Sequence, residues 1–506
     1  MTPPIGHSVS QGESKHGACS EPDRAGQDDR GAMKGDEVAG FVAAEGGGHK
    51  RTLSETWSAW WNGENAPAPM GCARDNCGGE GAPPAGPVHA RSRSVPPMEG
   101  AEGRRGGEAD DGAGVARGLA EIWSMLKDYV GGNLAGDGMF LGRLPVFLFE
   151  PVTSLQRASE AVDQCHLLVE AASRATPGER LALVGLFFAS NYHANKRTKV
   201  PLNSCAGETY EAVDEATGMT FLAECIQSSP SPVMAFCATL PGTLTFHATG
   251  RPESSFAGNS VVVSHPGSHN RITFDRTGDD IVFDLPTSTV NNVLLPGATY
   301  IDHHGEVHLR NQTTGETCTL AFRPCGSWLG NGPREVSGTV TDAGGAPLYT
   351  IEGHWDQRMQ VRNASSGADV ATWVKPDAEP DPHGLPGSLR AQAALVDAFD
   401  AQPRDKALAA AALLPSDSRL RPDRRALAAG LQAEAQRHRL RLAHLDGTLG
   451  TDTGQRPRWF AQDAHGNWIF RGGYFEERQR RLDALRERRD TSPLTLPTFK
   501  PSDRWP

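Results

Sequence analysis

Between residues 209 and 375 the chain is built of short runs that alternate apolar and polar residues, separated by glycine-bearing turns. Arg271-Ile-Thr-Phe-Asp and Ile281-Val-Phe-Asp flank Thr277-Gly278, and Val307-His-Leu-Arg and Thr317-Cys-Thr-Leu-Ala-Phe322 flank Thr314-Gly315. Val336 to Thr341 and Leu348 to Gly353 flank Gly344-Gly345 in the same way. A period of two broken by glycine signals hairpins, because alternate side chains of a strand share one face. Hairpins in series build a large antiparallel sheet, and a sheet of many strands hides its edges by closing. The expected fold is mainly β, a large near-closed antiparallel barrel.

Composition bounds the rest. Apolar residues make up 38 % of the 506, while Gly and Pro reach 57 and 36, which implies a substantial core beside a long unstructured part. A net charge of −11 lacks the basic footprint of a nucleic-acid binder. Nine irregularly spaced cysteines give no disulfide framework and fit a reducing compartment. The N-terminal stretch has no apolar signal core, and no run of about eighteen apolar residues occurs. The expectation is a soluble, cytosolic monomer that meets membranes only from outside.

Residues 1–115 are rich in Gly, Pro, Ser and mixed charge and are expected to be disordered. Trp57, Trp60 and Trp61 interrupt them as a docking motif or an idle sticky spot. Cys72 and Cys77 lack the second pair a zinc site needs. Order is expected from 116 to 485. Leu119, Ile122, Trp123, Leu126, Tyr129 and Val130 share one helical face, stopped by Gly131-Gly132, so 118–131 reads as a short helix lying on something apolar. Helices follow over 153–190, opened by the capping-box spacing of Thr153 and Gln156, with Cys165 inside and His166 outside. The barrel is expected over 199–375, a linker over 376–400, a helical part over 401–485 and a tail over 486–506. The run Asp302-His303-His304-Gly305-Glu306-Val307-His308 looks dense in metal ligands, but His304-Gly305 falls where a hairpin turn is expected, and no metal site is assigned.

Several separate motifs, in order, resemble the oxysterol-binding-protein-related family. The first is Lys199-Val-Pro-Leu-Asn-Ser-Cys-Ala-Gly-Glu-Thr-Tyr-Glu211, where Pro201, Asn203, Gly207, Glu208, Tyr210 and Glu211 match the family's fingerprint loop. The family lysine falls on Val200 and its second proline on Ser204. The block Leu144-Pro-Val-Phe-Leu-Phe-Glu-Pro-Val-Thr153 resembles the family's opening strand, and Leu414 to Gly430 and Trp468 to Arg478 resemble its C-terminal segments. The resemblance covers about Gly118 to Arg478. It implies a barrel around a lipid-sized tunnel, with 118–131 as its lid and Ile122, Trp123, Leu126, Leu144, Val146 and Phe147 as lid and tunnel residues. Each of these is equally well explained as ordinary core.

The same resemblance assigns a head-group site and shows it altered. Family members carry Glu-Gln-Val-Ser-His-His-Pro-Pro; here the stretch reads Glu224-Cys-Ile-Gln-Ser-Ser-Pro-Ser231, with Ser228 and Ser229 in place of the histidines. The family's Lys-x3-Glu-x3-Arg set falls on Arg437, Arg441 and Leu445. A phosphomonoester needs several charged donors converging on it, and losing three or four contacts of roughly 1.5–3 kcal/mol each lowers affinity a hundredfold or more. Against this, Lys196-Arg197-Thr198-Lys199 places Lys199 one residue from the family lysine, and Arg441 offers another donor. The candidate head-group residues are Lys199, Asn203, Glu208, Ser228, Ser229, Arg437 and Arg441, with Asn203 and Glu208 also readable as structural loop closers.

The resulting expectation is a non-enzymatic carrier that uses no cofactor and moves lipid between membranes. Sterol is the first cargo and phosphatidylserine another, with phosphatidylinositol 4-phosphate counter-exchange weakened. The alternative is a lipid sensor or scaffold that does not transfer. No Gly-x-Ser-x-Gly elbow supports a hydrolase.

Overall fold

The computed structural model describes residues 146–502 except 230, 258, 294–297, 328–329, 378–380, 382–384, 451–456 and 489–491. The tail 1–115, the helix expected over 118–131 with Ile122, Trp123 and Leu126, and Leu144 lie outside the described residues.

One antiparallel sheet of fifteen strands dominates them, with Thr209–Val213 at one edge and Asp369–Val374 at the other. Its strands follow chain order except for Glu253–Ala257, Ser260–Ser264 and Thr287–Asn291, which form a side branch on Tyr300–Asn311. The three glycine hairpins form where the alternation breaks, and Gly278, Gly315 and Gly345 each take positive φ there. The expected turn at His304-Gly305 does not form. Tyr300–Asn311 stays one strand of 12 residues, and Gly305, at φ 103°, marks where its partner changes. Residues Tyr300 to His304 pair with Thr287–Asn291, and Leu309 to Asn311 with Asp280–Phe283. A strand serving two neighbours must bend, and glycine permits the bend.

Three helices precede the sheet: α1 (Ser154–Ala158), α2 (His166–Ser173) and α3 (Pro177–Ser190). The capping box at Thr153 and Gln156 forms in full, and Cys165 is buried beside an exposed His166. Helix α3 is buried nearly all round, as a helix inside a barrel must be. Phe187 meets Phe246 on one side, and Phe188 meets Phe283 and Phe322 with centroids 5.4 and 6.2 Å away. The strands Pro347–His354 and Asp369–Val374 also contact this helix, so the sheet wraps around it. Gly185 allows the close approach: a Cβ there would stand 2.9 Å from both Cys318 Sγ and Ile351 Cδ1. Gly185→Val is therefore expected to cost about 1–3 kcal/mol, read as a lower midpoint in urea unfolding.

Each of the two edge strands is tied to the rest of the chain by a contact outside the sheet. Thr209 N–H donates to Ser416 O at 2.9 Å, and Trp373 Nε1 donates to Gln164 Oε1 at 2.9 Å. The stretch read as a linker carries helix α4 (Gly387–Asp397), anchored by buried Leu389, Ala393 and Val396. These are spaced four and three apart among small and polar residues, a stripe too sparse to stand out beside the preceding prolines. Helices α5 (Arg404–Ala411), α6 (Pro422–Ala428), α7 (Gln432–Gly450) and α8 (Tyr474–Glu487) complete the C-terminal part. The expected tail is also docked: Phe499 packs on both the Leu442 and Val396 clusters, and Lys500 N–H donates to Pro415 O at 2.8 Å. The six described cysteines are buried free thiols. No helix among the described residues is long and apolar enough to cross a membrane.

His303 and His304 are held within the sheet. His303 stacks edge-on against Tyr192 and Trp355 and shares a hydrogen bond of 2.9 Å with Ser288 Oγ, while His304 Nε2 bonds Thr289 Oγ1 at 2.9 Å. Burial pushes the His303 imidazole down to about 3. An unfolded histidine takes a proton near pH 6.5 that the buried one refuses. The stability it contributes is therefore whole above that pH and is lost as pH falls from there towards 3. At about pH 5 the loss is about 2 kcal/mol. His303→Gln is expected to flatten the decline in stability between neutral and mildly acid pH by that amount; variant and wild-type curves that run parallel contradict it.

Candidate functional site

The loop from Lys199 is pinned first by backbone pairing. Val200–Leu202 lies parallel to Phe149–Thr153, with Val200 opposite Phe149 and Leu202 opposite Thr153. The chain then turns through Gly207 at φ 80° into the edge strand. Inside the turn, the Glu208 carboxylate accepts from Cys205 N–H at 2.9 Å, Ser418 Oγ at 2.5 Å and Arg421 Nη1 at 2.9 Å. Arg421 also forks onto Asp423 at 2.6 and 3.0 Å and donates to Asn203 O at 2.6 Å. Glu208 is fully buried, so it closes the loop from within and presents nothing to a ligand.

Beside it, Arg419 binds Asp417 and Glu211, Arg478 also reaches Glu211 at 2.8 Å, and Arg424 pairs with Asp397. Arg419, Arg421 and Arg424 are 1, 2 and 0 % exposed. The segment from Leu414 to Ala428 is thus a buried ion-pair network that ties the loop to the C-terminal helices.

The basic run before the loop is largely consumed by the scaffold. Lys196 Nζ lies 2.8 Å from Asp356, and Arg197 holds Glu150 at 2.7 Å and also Glu160. Lys199 and Asn203 remain exposed, and the Lys199 carbonyl accepts from Arg157 Nη1 at 3.2 Å. Val146 and half-buried Phe147 sit in a short 3-10 turn ahead of this region. Val146 joins Phe149, Leu202, Ala426, Leu427 and Ala435 in a small cluster separate from the barrel core. Expected to line a tunnel, Val146 instead packs the loop against α6 and α7, because the strand it leads into pairs with the loop and not with the barrel sheet.

Helix α7 decides what faces the loop. Its buried stripe is Ala435, Arg439 and Leu442, with half-buried Leu445 and Asp446 continuing it; Arg439 lies over the Phe149 ring at 4.7 Å. Arg437 and Arg441 are exposed, and steps of four put them in line with half-buried Leu445 at one border of that stripe. Half-buried Ser228 and exposed Ser229 follow the strand Thr220–Gln227, and Ser228 favours the charged form of the Asp446 carboxyl on α7, whose Oδ1 is bonded from the loop. The same carboxylate accepts from Ala206 N–H at 3.0 Å. Burial pushes the Asp446 carboxyl above its usual range, against both of these and the charge of Arg421. Loop, Ser228 and helix therefore meet, and at their meeting point is an acid. Asp446 went unread in the sequence, where the register ended at Leu445. The spacing from Leu442 to Asp446 is the signal that puts it on the inward face.

A family profile described as oxysterol-binding protein matches residues 121–479. The chain belongs to the oxysterol-binding-protein family. Oxysterol-binding protein-related protein 3C of Arabidopsis thaliana is 31 % identical over 407 residues, covering 73 % of this chain and 82 % of the relative. Related protein 3B of the same plant is 34 % identical over 317 residues, covering 61 % and 64 %. The match to mouse related protein 3, at 29 % identity, covers 71 % of this chain and 41 % of the relative, so the chain spans less than half of that protein. Among solved structures, the Osh1 ORD domain in complex with cholesterol aligns with a TM-score of 0.61 at 25 % identity, over 71 % of this chain and 88 % of that one. The Osh3 ORD in complex with PI(4)P from Saccharomyces cerevisiae aligns at 0.59 and 23 % identity, over 71 % and 92 %, a likeness of fold.

Proposed function

We propose that this chain binds one lipid within its barrel and carries it between membranes that it touches peripherally, with sterol as the cargo and phosphoinositide binding weakened. Family membership and a cholesterol-bound structural relative support the lipid reading. One observation carries the head-group reading: the cations nearest the loop in sequence, Lys196 and Arg197, are already spent on carboxylates. Arg437 and Arg441 are exposed at the border of the packed stripe of α7, and Ser228 is neutral. Of the three cations in Lys196 to Lys199, Lys199 alone has no carboxylate partner among the described contacts. One charge-assisted contact of roughly 1.5–3 kcal/mol does not replace several.

A liposome assay tests this. Donor vesicles containing a fluorescent sterol and acceptor vesicles with or without phosphatidylinositol 4-phosphate are mixed with the protein. Transfer at a rate unaffected by the phosphoinositide is expected. Acceleration by phosphoinositide in the acceptor contradicts the head-group reading. Sterol bound without any transfer favours a sensor or scaffold.

A further inference from the structure

We infer that Asp446 is a specificity-determining residue: its carboxylate occupies the backbone donor at the loop mouth and bars lipids whose head group carries a phosphomonoester. This inference rests on the lipid-binding reading above and names the group responsible for its selectivity.

Three observations converge on it. First, Ala206 N–H, at the tip of the loop, is a backbone donor of the kind that seats anions, and it is already satisfied by Asp446 Oδ1 at 3.0 Å. Second, Ser228 at the end of the neighbouring strand acts on the same carboxyl and favours its charged form, so the mouth already holds one internal anion. Third, the anion is fixed. Asp446 is half-buried on a helix whose neighbouring Leu442 packs on Cys205 of the loop, and Leu445 packs beside them. An incoming phosphate would have to displace a tethered carboxylate from the Ala206 N–H and then sit beside it. Like charges a few ångströms apart in a partly dry site repel strongly. A polar end that is uncharged, or that bears an ammonium, meets no such barrier.

The test uses the full chain with Asp446→Ala and Asp446→Asn. The asparagine variant removes the charge but keeps an acceptor for Ala206 N–H, so it guards against a folding defect in the alanine variant. Each protein is incubated with phosphatidylcholine vesicles containing either cholesterol or phosphatidylinositol 4-phosphate, and extracted lipid is counted by native mass spectrometry. Both variants are expected to extract phosphatidylinositol 4-phosphate at least about tenfold more than wild type, with cholesterol extraction within about twofold. Variants that unfold at the wild-type temperature and extract cholesterol normally, yet gain no phosphoinositide, overturn the role of Asp446 while leaving the carrier reading standing. Wild type that extracts phosphoinositide as readily as the variants overturns both the role of Asp446 and the weakened head-group site. Failure of all three proteins to extract either lipid overturns the lipid reading itself.

Discussion

Arg421→Met is expected to destabilise the protein by about 3–5 kcal/mol, the cost of leaving buried carboxylates without their counter-charge. Arg421 is the only guanidinium that joins the loop's Glu208 to the helical segment's Asp423 among the described contacts, with Asn203 O as a third acceptor. Its removal leaves Glu208 with Cys205 N–H and Ser418 Oγ, and leaves Asp423 with the Arg424 N–H at 2.9 Å. Neither set compensates a buried negative charge. Arg421→Lys keeps a charge but loses the fork, so its loss should be smaller. Arg421→Met combined with Asp423→Asn should recover part of the single variant's loss, because one orphaned charge is gone. Urea unfolding reads all three, with a lower midpoint at an unchanged slope. A midpoint within error of wild type for Arg421→Met would show that the cluster contributes no net stability.

Phe188→Ala should cost a similar amount, about 3–5 kcal/mol. The ring sits on the helix enclosed by the sheet, with Tyr192, Phe283 and Phe322 around it at centroid distances of 5.5, 5.4 and 6.2 Å. Phe283 and Phe322 stand on the two strands that flank Tyr300–Asn311, and Tyr192 on the 3-10 turn Asn191–Ala194, so hydrogen-bonded backbone limits how far these partners can close the void. Phe188→Leu retains most of the volume and should lose much less. A Phe188→Ala loss near that of an exposed substitution would mean that the helix does not fill the barrel as the contacts indicate.

The parts that were legible in the sequence share one property: their signal is local. Period-two runs around Thr277-Gly278, Thr314-Gly315 and Gly344-Gly345 name their own hairpins, and Thr153 with Gln156 names its own cap. His304-Gly305 misled because the same glycine serves a bend as well as a turn, and only the neighbouring strands decide which. The arginines of the segment from Leu414 to Ala428 look like surface charge, since their carboxylate partners include Glu208, Glu211 and Asp397, outside that segment. The helix register led to Arg437, Arg441 and Leu445 through steps of four. A step of four from the packed Leu442 arrives at Asp446 instead, and which face packs is a tertiary fact. The motif thus named the residues of the proposed head-group region but not their contacts.

The most direct test of the account is native mass spectrometry of the purified wild-type chain after incubation with liposomes containing cholesterol, phosphatidylserine and phosphatidylinositol 4-phosphate together. The account predicts one cholesterol per chain and no phosphoinositide. Phosphatidylinositol 4-phosphate bound one-to-one would contradict it, and would point to Lys199 as the charge that restores the site.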